Sequence, residues 1–248
     1  MIRVLNANKF FNANKVLDDV SINFEAGTTN LVIGRSGSGK TVLLKAIIGL
    51  LELDSGEIWY GDIRFDTLDF KSRKSIRQTI GMLFQGSALF DSMTVEENVM
   101  FKLDMFTTMT SSEKRKRVDF CLERVNIRDA NNMLPSELSG GMKKRVAIAR
   151  AIALNPCYLF CDEPNSGLDP KTAIIIDKLI KEITEEFKMT TIVNTHDMNS
   201  VMEIGEKVVF IEEGVKYWEG TNREILKSDC KPLNDFIFAN ALARQLKH

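Results

Sequence analysis

Short apolar runs alternate with helical stripes along this chain. Seven runs combine strand length with apolar, β-branched residues and turn residues at their ends: Ile2–Val4, Val20–Phe24, Asn30–Ile33, Ile58–Tyr60, Ile80–Phe84, Cys157–Cys161 and Thr191–Asn194. Elsewhere apolar residues recur every three or four positions, which predicts helices that bury one face. We expect such helices after Lys40 through Leu50, across residues 93–132, after Met142 and from Pro170. Within residues 93–132, Thr110 and Glu113 have the spacing of a capping box that begins a helix. The alternation predicts an α/β fold with a parallel sheet.

Composition and charge narrow the classes of function. No apolar run is long enough to span a bilayer; residues 151–161, for example, are bracketed by Arg150 and Asp162. The first residues lack the apolar segment of a secretory signal, which predicts a cytoplasmic protein, with Cys157 and Cys161 as reduced core thiols. The net charge of −1 attracts neither nucleic acid nor anionic lipid. We therefore expect no nucleic-acid partner, no direct membrane insertion, and membrane contact only through another protein.

Residues 34–41 read G-R-S-G-S-G-K-T between a predicted strand and a predicted helix. This is the phosphate-binding loop pattern, in which glycines let several backbone N–H groups converge on phosphate oxygens. Lys40 supplies a positive charge to the β- and γ-phosphates, and the Thr41 hydroxyl is suited to Mg²⁺. Nucleotide binding is therefore predicted for all eight residues, namely Gly34, Arg35, Ser36, Gly37, Ser38, Gly39, Lys40 and Thr41.

Two adjacent carboxylates, Asp162 and Glu163, follow the predicted strand that ends at Cys161. The carboxyl ends of parallel strands line the ligand crevice of an open α/β sheet. We therefore expect both side chains beside the phosphates. Asp162 is suited to hold Mg²⁺, which prefers oxygen ligands, and Glu163 is then free to act on the attacking water.

Gln85 and His196 also follow predicted strands, and each has a structural interpretation beside a functional one. Gln85 either caps a turn or completes the Mg²⁺ shell with its amide oxygen and senses the γ-phosphate. His196 is either a structural histidine or a hydrogen-bond donor to the γ-phosphate. Taken singly, neither residue decides between the two interpretations.

A second anion-binding segment is formed by Ser139, Gly140 and Gly141, which precede a predicted helix. Serine and glycines at a helix N-terminus present free backbone N–H groups to an anion. The alternative is a helix cap without a ligand. Because the chain has two such helix starts but only one complete nucleotide loop, the pattern indicates that two copies pair.

In their order along nearly the whole chain, these segments resemble the ABC ATPase family. The resemblance covers the Walker A loop at Gly34–Thr41, the Q-loop at Gln85, the signature at Leu138–Met142, the Walker B strand at Tyr158–Glu163, the D-loop at Ser166–Asp169 and the switch histidine at His196. It implies one nucleotide-binding domain over residues 1–248. That domain would have a P-loop NTPase core with a parallel sheet, an antiparallel β subdomain and a helical subdomain at about residues 90–155.

The same resemblance implies an ATPase that uses ATP and Mg²⁺. It assigns catalytic roles to Glu163, His196 and Lys40. It assigns contacts with the metal ion to Thr41, Gln85 and Asp162. For the adenine ring, the resemblance points to Phe11 with Val16 beside it, and Phe10 is the competing choice for the stacking residue.

The resemblance also implies the partners of this chain. Two copies would meet head to tail, each ATP lying between residues 34–41 of one copy and residues 139–141 of the other. An integral membrane permease would bind near residues 85–99. The pair would lie on the cytoplasmic face of the inner membrane.

Within the family, residues 82–90 and 133–142 look most like the Mla-type ATPases, which act with permeases in MCE phospholipid transport. Met142 carries part of this resemblance, because most ABC ATPases have Gln or Glu there. Two features depart from it: Arg35 replaces a small residue or proline, and the chain stops soon after Leu246, without the extended tail of some Mla-type ATPases. The main alternative is the division-type ATPase, which signals through a membrane partner without transport; ribosome-acting and iron–sulfur assembly members fit less well.

Overall fold

Ten strands occur within residues 1–238, which are the residues that the computed structural model describes. Their bounds are β1 Ile2–Phe11, β2 Asn14–Phe24, β3 Thr29–Ile33, β4 Ser55–Tyr60, β5 Ile63–Arg64, β6 Ile80–Leu83, β7 Tyr158–Asp162, β8 Thr190–Thr195, β9 Lys207–Glu212 and β10 Val215–Gly220. The stretch near Leu246, where some Mla-type ATPases have an extended tail, lies outside the described residues.

Eight α-helices accompany these strands in the described part of the chain. They are α1 Lys40–Ile47, α2 Phe70–Gln78, α3 Val95–Phe106, α4 Ser111–Arg124, α5 Gly140–Ile152, α6 Pro170–Phe187, α7 Met198–Ile204 and α8 Lys231–Ile237. Within residues 1–238, no helix has both the length and the apolar character needed to cross a membrane.

The larger sheet has the order β10-β9-β3-β8-β7-β6. All its neighbouring strands pair in parallel except β10, which is antiparallel to β9. The smaller sheet, β2-β1-β4-β5, is entirely antiparallel. The predicted fold class, a P-loop core with a parallel sheet and an antiparallel β part, is therefore confirmed, whereas the extent of a separate helical subdomain stays a prediction.

The register of the parallel strands brings distant segments of the chain together. Ile33 at the end of β3 pairs with Thr195 at the end of β8, and Asp162 at the end of β7 pairs with Asn194. The residues that follow these strands therefore emerge at one edge of the sheet. Residues 34, 163 and 196 meet there although they are far apart in sequence.

Two apolar clusters hold this edge in place. One lies between the large sheet and helices α3 to α6, and it contains the buried faces of α4 and α6 that the sequence predicts. The other joins α1 to the antiparallel sheet, with Phe24 and Phe160 among its fully buried side chains. The nucleotide loop is thus supported from both sides by close-packed side chains.

Three local predictions are wrong in detail. The helix after Lys40 ends at Ile47, so Leu50 lies outside it and is 60% exposed. The strand predicted to reach Phe84 ends at Leu83. Cys157 precedes its strand and is exposed, whereas Cys161 is buried as predicted. The predicted helical stretch 93–132 contains two helices, and Thr110 caps the second with the capping box predicted from its spacing to residue 113.

Candidate nucleotide-binding site

A cavity of about 610 Å³ opens at the carboxyl edge of the large sheet. Its volume is within the range of about 300–1,000 Å³ that is typical of small-molecule sites. The lining residues are Val16, Arg35, Ser36, Gly37, Gly39, Lys40, Thr41, Val42, Gln85, Glu163, Ser166, His196 and Phe236. Most of the residues that the sequence assigns to nucleotide chemistry are therefore brought together in one cavity.

The nucleotide loop connects β3 to α1, and at two of its positions there is no room for any side chain larger than that of glycine. A Cβ atom at Gly34 would lie 2.0 Å from the backbone oxygen of Ile211, and one at Gly39 would lie 2.8 Å from that of Val16. Gly39 is the N-cap of α1 and offers no side-chain acceptor, and the first turn of α1 has no acidic residue. The free N–H groups of this helix start therefore fit the phosphates of a nucleotide.

Lys40 directs its charge toward the inside of the loop. The side chain is 5% exposed, and its Nζ donates to the backbone oxygens of Gly34 and Arg35, both at 2.8 Å. Burial lowers the pKa of Lys40, while the nearby carboxylates of Glu163, Asp162 and Glu212 oppose that effect. A buried ammonium in this position binds anionic phosphate more strongly than one in water would.

A hydroxyl and a carboxylate meet where a magnesium ion is expected. Thr41 Oγ1 and Asn194 Nδ2 both donate to Asp162 Oδ1, each over 3.1 Å. Asp162 is 8% exposed and is the last residue of β7. Because Mg²⁺ is usually held by one or two carboxylates together with substrate phosphates, these residues fit that ion.

Glu163 and His196 contact each other directly. His196 Nδ1 lies 2.7 Å from Glu163 Oε2, and the Glu163 backbone N–H donates to the oxygen of Asn194 over 2.9 Å. Glu163 has a φ of 50°, in the left-handed region that a residue with a side chain rarely adopts. The strained turn and the histidine together hold the carboxylate at the cavity wall.

Gln85 is held at the cavity by its side chain and by its backbone. Its Nε2 donates to Ser166 Oγ over 3.3 Å, and its backbone oxygen accepts from Nζ of Lys144. Lys144 is 4% exposed on α5, and burial lowers its pKa. Because α5 also begins at the signature segment, Lys144 links that segment to Gln85.

Some predicted residues do not line the cavity: Phe11, Gly34, Ser38, Ser139, Gly140, Gly141 and Asp162. Gly34, Ser38 and Asp162 lie behind its wall, and Ser38 Oγ is buried without a hydrogen-bond partner among the described residues. Phe11 and Phe10 are 46% and 43% exposed, so exposure does not distinguish which of the two stacks on the adenine ring. Ser139 caps α5 by accepting from the Met142 N–H over 3.2 Å, with no part in the cavity of its own chain.

Arg35, which departs from the usual residue of the nucleotide loop, forms an ion pair. Its Nε lies 3.4 Å from Glu212 Oε1 at the end of β9. The guanidinium is 57% exposed and lines the cavity. The pair connects the loop to β9, although an exposed pair of this kind contributes little to stability.

Sequence reasoning did not assign several residues to the site, among them Asn194, Lys144 and Phe236. Asn194 could have been found from the sequence, because it is a polar residue near the end of an apolar strand. Lys144 follows Ser139 by five positions on the same helix, but no local pattern separates it from its neighbour Lys143. Phe236 on α8 reaches the cavity by packing its ring 5.4 Å from that of Phe210, and nothing local marks it.

Replacing Gly34 by alanine is expected to destabilise the protein by about 2–4 kcal/mol, because the added Cβ overlaps Ile211 O and the backbone has a φ of 153°. Thermal or urea unfolding measures the effect. Gly37→Ala is the matched control, since Gly37 has a positive φ of 82° but nothing within 4 Å of the added Cβ. Equal losses for the two variants would contradict the steric explanation.

Comparisons with known proteins agree with this geometry. A sequence profile of the family described as "ABC transporter" matches residues 17–166, more than half of the chain. The methionine import ATP-binding protein MetN of Clostridioides difficile is 40% identical over 237 residues, covering 96% of this chain and 74% of that protein. The intermembrane phospholipid transport system ATP-binding protein MlaF of Haemophilus influenzae is 37% identical over 222 residues, covering 90% of this chain and 84% of that protein.

A solved structure extends the similarity to three dimensions. It is the dimeric structure of a post-hydrolysis state of an ATP-binding cassette bound to ADP and Pi. The two chains are 33% identical and superpose with a TM-score of 0.82, over 90% of this chain and 99% of the other.

Proposed function

The chain belongs to the ABC transporter family, as an ATPase that uses ATP with Mg²⁺, and from this premise we propose that it drives phospholipid transport through an MCE-type permease. The observation that carries the ATPase mechanism is the Glu163–His196 contact at the wall of the loop cavity. The phospholipid assignment has the support of the 37% identity to MlaF and of the segments around Gly86 and Met142.

The charged and polar side chains at the site have distinct roles in this mechanism. Lys40 offsets the charge of the terminal phosphates, and Thr41, Asp162 and Gln85 would hold a bound Mg²⁺. When bound, Mg²⁺ neutralises the charge that develops on the phosphate oxygens. Glu163 orients and deprotonates the attacking water, and His196 positions Glu163 and donates to the γ-phosphate.

Two copies complete each site. The signature residues Ser139, Gly140 and Gly141 do not line the cavity of their own chain, so their backbone N–H groups are available to the nucleotide of a partner. The dimeric cassette at 33% identity supports this arrangement. On this proposal, ATP joins the two copies head to tail, and hydrolysis separates them. The adenine ring stacks on Phe11, next to Val16.

The permease is proposed to bind residues 85–99. Asn98 is fully buried and holds this segment by accepting from the Phe90 N–H and donating to the oxygens of Phe90, Met93 and Thr94. The Phe90 ring, 39% exposed, is packed against Phe101 at 4.7 Å between centroids. A rigid segment that carries Gln85 at one end transmits closure of the cavity to the membrane partner. The chain would then lie on the cytoplasmic face of the inner membrane.

Methionine import is the second candidate, because relatives at 40% and 39% identity are described as methionine import ATP-binding proteins. The two candidates share the ATPase chemistry and differ in the permease. The substrate is selected by that partner, so the cavity itself does not discriminate between them.

Transport by the purified complex tests the proposal. The chain is purified together with its membrane partner, and the partner is identified. The complex is then reconstituted into liposomes and supplied with MgATP. We expect ATP-dependent movement of a fluorescent phospholipid and no uptake of radiolabelled L-methionine, and the Glu163→Gln complex serves as the inactive control. Methionine uptake without lipid movement would replace the first candidate by the second. A division-type partner with neither activity would overturn both.

A further inference from the structure

The guanidinium of Arg35 lies at the wall of the nucleotide cavity with its hydrogen-bonding capacity unused. It lines the cavity, is more than half exposed, and donates no hydrogen bond to any of residues 1–238. A guanidinium carries five N–H donors in a planar fork that matches the oxygens of a phosphate or a carboxylate. The nucleotide-loop pattern makes no demand on the side chain at this position, so Arg35 adds a charge that the pattern does not supply.

Glu212, the last residue of β9, faces this guanidinium. Its Oε1 lies 3.4 Å from Arg35 Nε, as an ion pair without a hydrogen bond. Its Oε2 is buried and has no hydrogen-bond partner among the described residues. A carboxylate oxygen that is buried without a donor is poorly satisfied. Arg35 and Glu212 therefore form a loose pair, in which neither group has its full set of hydrogen bonds.

The backbone of Arg35 determines which part of the nucleotide its side chain can reach. Its carbonyl oxygen accepts from Lys40 Nζ over 2.8 Å and from the Ser38 N–H over 3.2 Å. Burial lowers the pKa of Lys40, and the carboxylates of Glu163 and Glu212 are both near enough to oppose that effect. Because Lys40 is the residue proposed to meet the terminal phosphates, Arg35 lies at the end of the loop that holds them.

The turn that follows Glu212 is packed against the same loop. The Gly214 N–H donates to the backbone oxygen of Ser38 over 3.1 Å. A Cβ atom at Gly214 would lie 2.5 Å from the backbone oxygen of Val16, so the turn has no room to shift toward β2. The backbone is thus fixed on both sides of the ion pair, and a rearrangement of the pair falls on the long, exposed side chain of Arg35.

We propose that Arg35 is a ligand of the terminal phosphates of ATP, and that Glu212 is a positioning residue that holds the guanidinium at the cavity wall and competes with the phosphates for it. The inference rests on the proposed role of residues 34–41 in holding the phosphates. Phosphate oxygens offer bidentate, charge-assisted hydrogen bonds, which the contact with Glu212 does not. The guanidinium therefore turns to the nucleotide when it binds, and the contact favours a triphosphate over a diphosphate.

Arg35→Ala measures the contact with the phosphates. Isothermal titration calorimetry with Mg²⁺ and AMP-PNP, an ATP analogue that is not hydrolysed, should show binding about tenfold weaker than in the parent, and MgADP should lose less than about threefold. The melting temperature without nucleotide should not change, because an exposed pair contributes little to stability. Arg64→Ala is the matched control, since Arg64 forms a partly exposed pair with Glu57 over 3.0 Å and does not line the cavity.

Glu212→Gln tests the competition, since it keeps the size of the side chain and removes its charge. The guanidinium is then free more of the time, and AMP-PNP should bind about three- to tenfold more tightly than to the parent. In the Arg35→Ala background the same substitution should gain less than about twofold, because the carboxylate has no guanidinium to hold. Equal gains in the two backgrounds would show plain repulsion between Glu212 and the phosphates, and would overturn the competition.

An unchanged affinity of Arg35→Ala for AMP-PNP would overturn the inference. If that variant were also less stable, the pair with Glu212 would be purely structural. If it instead failed to form the ATP-bound dimer, the guanidinium would serve the partner copy and not the nucleotide. Absence of AMP-PNP binding by the parent itself would contradict the assignment of residues 34–41 and remove the basis of the inference.

Discussion

Glu163→Gln is expected to bind ATP with unchanged affinity while its kcat falls by about 10²–10³-fold, within the range of general-base catalysis. Glutamine keeps the size of the side chain but has no basic carboxylate to accept a proton from water. The Lys40 contacts and the glycine turns of the loop do not depend on residue 163. Binding and hydrolysis should therefore separate in this variant.

The same variant should trap the dimer. If ATP joins two copies and only its hydrolysis separates them, Glu163→Gln with MgATP should elute as a dimer in size-exclusion chromatography, whereas the parent should return to monomer as ATP is consumed. Glu123→Gln, at an exposed glutamate of α4, is the matched control. Rapid turnover by Glu163→Gln would remove Glu163 from its role as the base.

Lys40→Ala is expected to weaken MgATP binding by about 30- to 5,000-fold, since truncating one partner of a buried charge pair costs about 2–5 kcal/mol. The side chain is 5% exposed and lies within the loop that surrounds the phosphates. Its removal deletes the buried ammonium that lies within the loop. Isothermal titration calorimetry measures the loss directly.

Ligand-induced stabilisation offers an independent measure of the same affinity. ATP at about 100 times its Kd should stabilise the parent by about 2.7 kcal/mol, and the same ATP concentration should stabilise Lys40→Ala by less than about 1 kcal/mol. Lys45→Ala is the control, because Lys45 is exposed in the last turn of the same helix. If Lys40→Ala and Lys45→Ala bound ATP equally well, the proposed electrostatic role of the loop lysine would be wrong.

Local signals located most of the candidate site. The glycines, lysine and threonine of the nucleotide loop are contiguous, so their spacing predicts the turn, the helix start and the chemistry without reference to the rest of the fold. The capping box at residues 110–113 and the buried face of α6 could likewise be predicted from the sequence. A helix cap and an apolar helix face both depend on residues within a few helical turns. Errors fell at element ends, such as Leu50 and Cys157.

By itself, the sequence determined what depends on neighbouring residues: the alternation of strands and helices, the phosphate-binding turn, and the residue types at each strand end. Only the tertiary structure decided which of these meet. Strand register placed Glu163, His196 and the loop at one edge of the sheet, and packing brought Lys144 to Gln85. The physical reason is that turns and helical periodicity are set by local backbone and side-chain preferences. Contacts between distant segments instead depend on how whole strands pair and how cores fill, which no short stretch of sequence specifies.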